Sequence, residues 1–163
     1  LRAGMLSAME TAMIAPQPQH RIHDRLMSYW QQLCQGRPMP SEGDVVLGDL
    51  GDIWPSCFLV SVEEDAFSYD FLGAAIVIAY GDSIGGKEIT EKLLYPHPPS
   101  LVNTFKQVVL NGSPATDESE FVNSKGVKVK YRSCVLPLSD ASGKISFLLG
   151  GMKWKAFIDE AKA

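Results

Sequence analysis

Phe121-Val122-Asn123-Ser124-Lys125-Gly126-Val127-Lys128-Val129-Lys130-Tyr131-Arg132 is the stretch that decides the fold. Two runs of strand-favouring residues flank Ser124-Lys125-Gly126, a three-residue loop in which Gly126 can take left-handed backbone. Such a hairpin places Phe121 opposite Val129, Glu120 opposite Lys130 and Glu118 opposite Arg132. Apolar then meets apolar and acid meets base, so one register satisfies both faces. A second turn signal, Asp140-Ala141-Ser142-Gly143, follows the same strand and leads into a third. Within that third run Gly150-Gly151 reads as a place of close packing or a bulge.

Working outward, Cys57 to Val62 is a dense apolar run, and Phe67 to Leu72 alternates Phe67, Tyr69 and Phe71 with Ser68 and Asp70. The acidic turn Glu63-Glu64-Asp65 joins them into another hairpin. Five strands are therefore expected, over residues 57–62, 67–72, 114–123, 127–138 and 144–154. Between the two groups lie short helical pieces: Ala74 to Tyr80, a segment from Gly85-Gly86 with Ile89, Leu93 and Leu94 facing inward, and a helix to Leu110 that Ser100 can cap. Asn111-Gly112 stops the last of these. Residues from Trp154 to Ala161 suit a final half-helix.

His20 to Cys34 carries Ile22, Leu26, Trp30 and Leu33 at helical spacing, and Gly36 and Pro38 end it. The segment 44–53 holds Gly48 and Gly51 and suits a turn or a short helix. Residues 1–19 read as a short helix or loose tail with Met5, Met9 and Met13 on one side, residues 20–154 as the domain, and 155–163 as a C-terminal tail or half-helix. The fold class is α+β: a five-stranded antiparallel sheet with short helices on one face and the N-terminal helix on the other.

Composition fits one soluble domain. The 163 residues are 45% apolar and 21% charged, with a net charge of −4. An acidic balance argues against nucleic acid, since phosphate-binding domains carry a basic excess. Lys125, Lys128, Lys130 and Arg132 are moreover answered by Asp117, Glu118 and Glu120 across the hairpin. Three widely spaced cysteines, Cys34, Cys57 and Cys134, without a CxxC pair, suggest a reducing cytoplasm and no disulfide framework. No apolar run approaches the roughly 18 residues of a membrane helix.

The element order β-β-α-α-α-β-β-β resembles a PAS sensor domain. The residues that carry the resemblance are Leu26-Met27-Ser28-Tyr29-Trp30, then Gly36-Arg37-Pro38-Met39-Pro40-Ser41, then Trp54-Pro55 and Phe58-Leu59-Val60. They continue with Phe67-Ser68-Tyr69-Asp70-Phe71-Leu72-Gly73, Ile76-Val77, Tyr80-Gly81 and Gly85-Gly86-Lys87. The pattern is similar to short, largely standalone PAS proteins of alphaproteobacteria and spans residues 20–154. It departs from that group in lacking an arginine near Asp70, and in having Gly85-Gly86-Lys87 where Thr-Gly-Arg is common. The resemblance implies a sensory module that holds a small molecule between sheet and helices, or docks a partner with no ligand. It also implies dimerisation through an N-terminal helix, which points to Ile22, Leu26, Trp30 and Leu33 as a homodimer interface. Signalling then runs through a partner protein.

The chemistry-bearing residues fit that picture better than catalysis. His20 and His23 share a helix face but lack further ligands for a metal. His97, between Pro96 and Pro98, is the single candidate haem ligand and reads as an ordinary loop histidine. No phosphate loop is present, because Gly86-Lys87 is followed by Glu88. Flavin photochemistry would need a reactive cysteine, and none lies between Gly73 and Gly112. Tyr69, Phe71, Ile76, Tyr80, Phe105, Tyr131 and Ser133 converge on one side and are the expected ligand-binding set, around a small organic molecule of unknown identity. A cavity beside Ser133, walled by Tyr69, Phe71 and Phe105, is expected. The alternatives are a small enzyme of the cone-shaped isomerase type and a ligand-free structural adaptor. The first needs an acid or histidine at the pocket floor, and no inward strand position is expected to hold one.

Overall fold

The hairpin that decides the fold forms in the expected register, with Phe121 paired to Val129, Glu120 to Lys130 and Glu118 to Arg132. Its turn is held by the Asn123 side chain, whose Oδ1 accepts from the amides of Lys125 (2.9 Å) and Val127 (3.0 Å). Gly126 takes a φ of 78°, the left-handed region that favours glycine. The structure is a computed structural model and describes residues 18–64, 66–81 and 98–157. Residues 1–17 of the N-terminal tail, the segment 85–94, His97 and residues 158–163 lie outside these, while residues 18 and 19 of that tail already belong to the first helix.

Five strands build one antiparallel sheet: β1 (Cys57–Glu63), β2 (Ala66–Leu72), β3 (Ala115–Val122), β4 (Lys128–Ser139) and β5 (Ile145–Phe157), in the order β2-β1-β5-β4-β3. The last strand in sequence is thus the central one. It continues through Trp154 to Phe157, where a half-helix was expected. The reason is its neighbour: β4 is long enough to offer ladder partners, Tyr131 to Trp154 and Lys128 to Phe157. The 44–53 segment resolves into short 3-10 turns at Glu42–Asp44 and Leu47–Leu50, and another precedes β1 at Trp54–Ser56.

Both faces of the sheet are covered. On the inner face, helices α2 (Ala74–Ala79) and α3 (Pro99–Asn111) pack over Phe58, Tyr69, Tyr131, Val135 and Leu148. On the outer face, helix α1 (Pro18–Cys34) lays Ile22, Leu26 and Trp30 on Cys57, Cys134, Leu136, Leu138 and Leu149. The Trp30 indole also donates to the carbonyl of Pro137 at 2.8 Å, and Arg25 makes a two-pronged ion pair with Asp52. Among the described residues no helix is long and apolar enough to cross a membrane.

This corrects the expected dimer interface. Ile22, Leu26 and Trp30 are 7%, 0% and 8% exposed within a single chain, so they are not offered to a second copy. Leu33 is half-buried at the end of the same helix. An apolar stripe covers the nearest apolar surface, and here that surface is the chain's own sheet.

Gly150 and Gly151 in β5 serve close packing. A Cβ on Gly150 would sit 2.1 Å from the Phe58 ring, on the inner face. A Cβ on Gly151 would sit 2.5 Å from Leu26 Cδ1, on the outer face.

Candidate functional site

The inner face brings together most of the expected ligand set. Tyr69, Ile76, Tyr80, Phe105 and Tyr131 belong to one buried cluster. Ser133 lies on the same face, between Tyr131 and Val135 in the strand alternation, and is fully buried. Among the described residues its hydroxyl has no hydrogen-bond partner.

Phe71 does not join them. The β1–β2 ladder shifts register between Leu59 and Val60, so that Val60 pairs with Tyr69 but Leu59 pairs with Phe71. Asp70 is the extra residue of this bulge, and it reverses the alternation beyond it. Phe71 therefore stacks on Trp54, with ring centroids 4.2 Å apart, instead of lining the interior.

Helix α2 is only six residues long and too short to be stable alone. Neighbouring side chains fix its ends. Asn123 and Ser124 of the β3–β4 turn donate to the carbonyls of Ala79 and Tyr80, both at 3.1 Å. The Trp154 indole donates to the carbonyl of Ala75 at 3.0 Å. This anchoring sets Tyr80, whose hydroxyl meets that of Tyr69 at 2.6 Å inside the core.

Sequence reasoning missed Asp117. It was grouped with Glu118 and Glu120 on the solvent face, but Glu118 pairs with Arg132 and points outward, so Asp117 points inward. It is half-buried, directly across the ladder from Ser133. Its carboxylate accepts from Ser100 Oγ at 2.7 Å and from the Tyr131 hydroxyl at 2.6 Å. Burial, and then this hydrogen bond, hold the Tyr131 phenol well above its ordinary pKa. Ser100 consequently does not cap α3; it sits in the first turn with its hydroxyl committed to Asp117. Thr104 Oγ1 turns back to the Ser100 carbonyl at 3.1 Å. The expectation that no inward strand position holds an acid is thereby corrected.

Reactive thiols are absent from this face. Burial pushes Cys57 up to about 12 and Cys134 up to about 11, and both pack under α1. On the outer face beyond α1, a groove of about 380 Å³ runs between Lys130, Arg132, Lys153, Lys155 and Phe157. Its acids answer part of that charge: Glu118 bonds Arg132 at 2.8 Å, and Glu120 lies 3.4 Å from Lys128.

Over residues 18–153 the chain matches a family model described as a PAS domain. The chain belongs to the PAS family. No curated protein matches it. Among solved structures, the PAS domain is similar to the light-state Aureochrome1 LOV domain, at 14% identity and a TM-score of 0.45, covering 72% of this chain and 92% of that one. It is similar to the photo-excited blue-light photoreceptor Vivid at 14% identity and a TM-score of 0.46, covering 78% and 93%. The PAS domain of BvgS from Bordetella pertussis gives 15% identity and a TM-score of 0.37, covering 66% and 79%.

Proposed function

We propose that this PAS domain is a cytoplasmic sensory module that takes a small organic ligand between α3 and the inner face of β3 and β4, and passes the signal to a partner protein. The reading rests on one observation: Ser133 is fully buried on the inner face and its hydroxyl has no partner among the described residues. A hydroxyl so placed costs free energy unless something bonds it. Ligand sites of this kind are mainly apolar, with a few convergent polar groups. Here Tyr69, Ile76, Tyr80 and Phe105 give the apolar wall, and Ser133, Asp117 and Tyr131 give the polar groups.

Native mass spectrometry of freshly purified protein tests this. A bound mass that is lost on denaturation, and missing from the Ser133→Val variant, is the expected result. Wild-type protein carrying no such mass, and taking up none from a cell extract, would favour a ligand-free adaptor instead.

A further inference from the structure

The carboxylate of Asp117 is inward, half-buried and unmatched by any cation among the described residues. Its two contacts are neutral hydroxyls, Ser100 on one oxygen and Tyr131 on the other. Each oxygen of a carboxylate accepts two hydrogen bonds, so both keep capacity. Hydroxyl donors orient the charge without neutralising it, and a charge drawn out of water calls for a counter-charge. The N-terminus of α3 beside Ser100 supplies part of that, as a partial positive charge.

Across the ladder stands the second, independent observation, the fully buried and unpartnered Ser133 hydroxyl. We propose, on the strength of the interior-site reading above, that the ligand is a small organic ammonium compound whose charged nitrogen bonds Asp117 and Ser133 together. An ammonium carries several donors and no acceptor. One donor suits the carboxylate, and a second suits the Ser133 oxygen. The nearby rings of Tyr69, Tyr80, Phe105 and Tyr131 suit an organic cation, whose charge is attracted to aromatic faces. A hard metal ion fits poorly, because it would demand about six oxygen ligands. An anion would be repelled by Asp117.

The test uses the full chain and three probes of matched shape: 2-phenylethylamine, neutral 2-phenylethanol and anionic 3-phenylpropanoate, titrated by calorimetry. The amine should bind at least about tenfold more tightly than the alcohol, and the acid should not bind. Asp117→Asn should remove that preference, and Ser133→Ala should weaken the amine while leaving the alcohol nearly unchanged. Alcohol or acid binding as tightly as amine would overturn the ammonium assignment and leave the interior site standing. A neutral or acidic copurifying ligand in the native mass spectrum would do the same. No binding of any probe would overturn the assignment, while a copurifying mass would still uphold the site. Should Asp117→Asn fail to fold, the ratio of the three affinities in wild-type protein decides the question alone.

Discussion

Replacing Ser133 by alanine should stabilise the ligand-free protein, against the usual direction for a buried position. Ser133 is 0% exposed and its hydroxyl is unpartnered. Leaving a buried hydroxyl unbonded costs about 1–3 kcal/mol. Alanine removes that cost and leaves a void one oxygen atom in size, which takes back part of the gain. The net expectation is about 1 kcal/mol, or about 2–4 °C in Tm for a domain of this length. The protein must first be stripped by unfolding in guanidinium chloride, desalting and refolding. Melting is then followed by circular dichroism. Protein as isolated should show the opposite order, since a ligand held by Ser133 stabilises only the wild type. A Tm for stripped Ser133→Ala clearly below that of stripped wild type would refute the reasoning. It would mean that the hydroxyl is bonded in solution and is not waiting for a ligand.

Gly150→Ala should lower stability by about 3 kcal/mol or more in a urea titration, because its methyl would strike a Phe58 ring wedged against Tyr69 and Phe105. Gly43→Ala, with nothing within 4 Å, should be close to neutral as the control. Trp30→Phe should cost about 1–3 kcal/mol by leaving the Pro137 carbonyl without its indole donor, read from the same urea curves. For the thiols the sign follows from their raised values, about 12 for Cys57 and about 11 for Cys134. Thiols that ionise near 9 when unfolded release protons earlier than in the native state, so stability is complete below that pH and is lost as pH rises above it. Each should remove about 1 kcal/mol between pH 9 and pH 10, an effect that Cys57→Ala combined with Cys134→Ala should abolish.

The hairpin register was legible because cross-strand charge and hydrophobicity agree on a single alignment, and a local turn sets it. The same parity would have placed Asp117: if Glu118 and Glu120 face out, the residue beside them faces in. What hid it was its company, since three acids within four residues look like one solvated face. Phe71 was not legible. Nothing in Phe67 to Leu72 announces a bulge at Asp70, and an alternating run is read as unbroken when the extra residue leaves the pattern of polar and apolar types intact. The α1 stripe was legible as a stripe, but its partner was not. A sheet face and a second copy are equally apolar to a helix, and only the fold decides which is nearer. The anchoring of α2 by Asn123, Ser124 and Trp154 depends on contacts 44 to 79 residues apart in sequence, for which no local pattern exists.

At Gly150 and Gly151 the sheet is reduced to bare backbone, with the Phe58 ring seated on one side and Leu26 on the other. A sheet ordinarily insulates the layers on its two faces, because side chains of its own stand between them. Here two layers press on one pair of peptide planes, as two gears mesh on a common shaft. Energetic effects of changes at Phe58 and at Leu26 should therefore fail to add, although the residues sit on opposite faces of the sheet. Whatever shifts Phe58 must be accommodated by the helix behind the sheet, and whatever loosens that helix releases the seat of the ring.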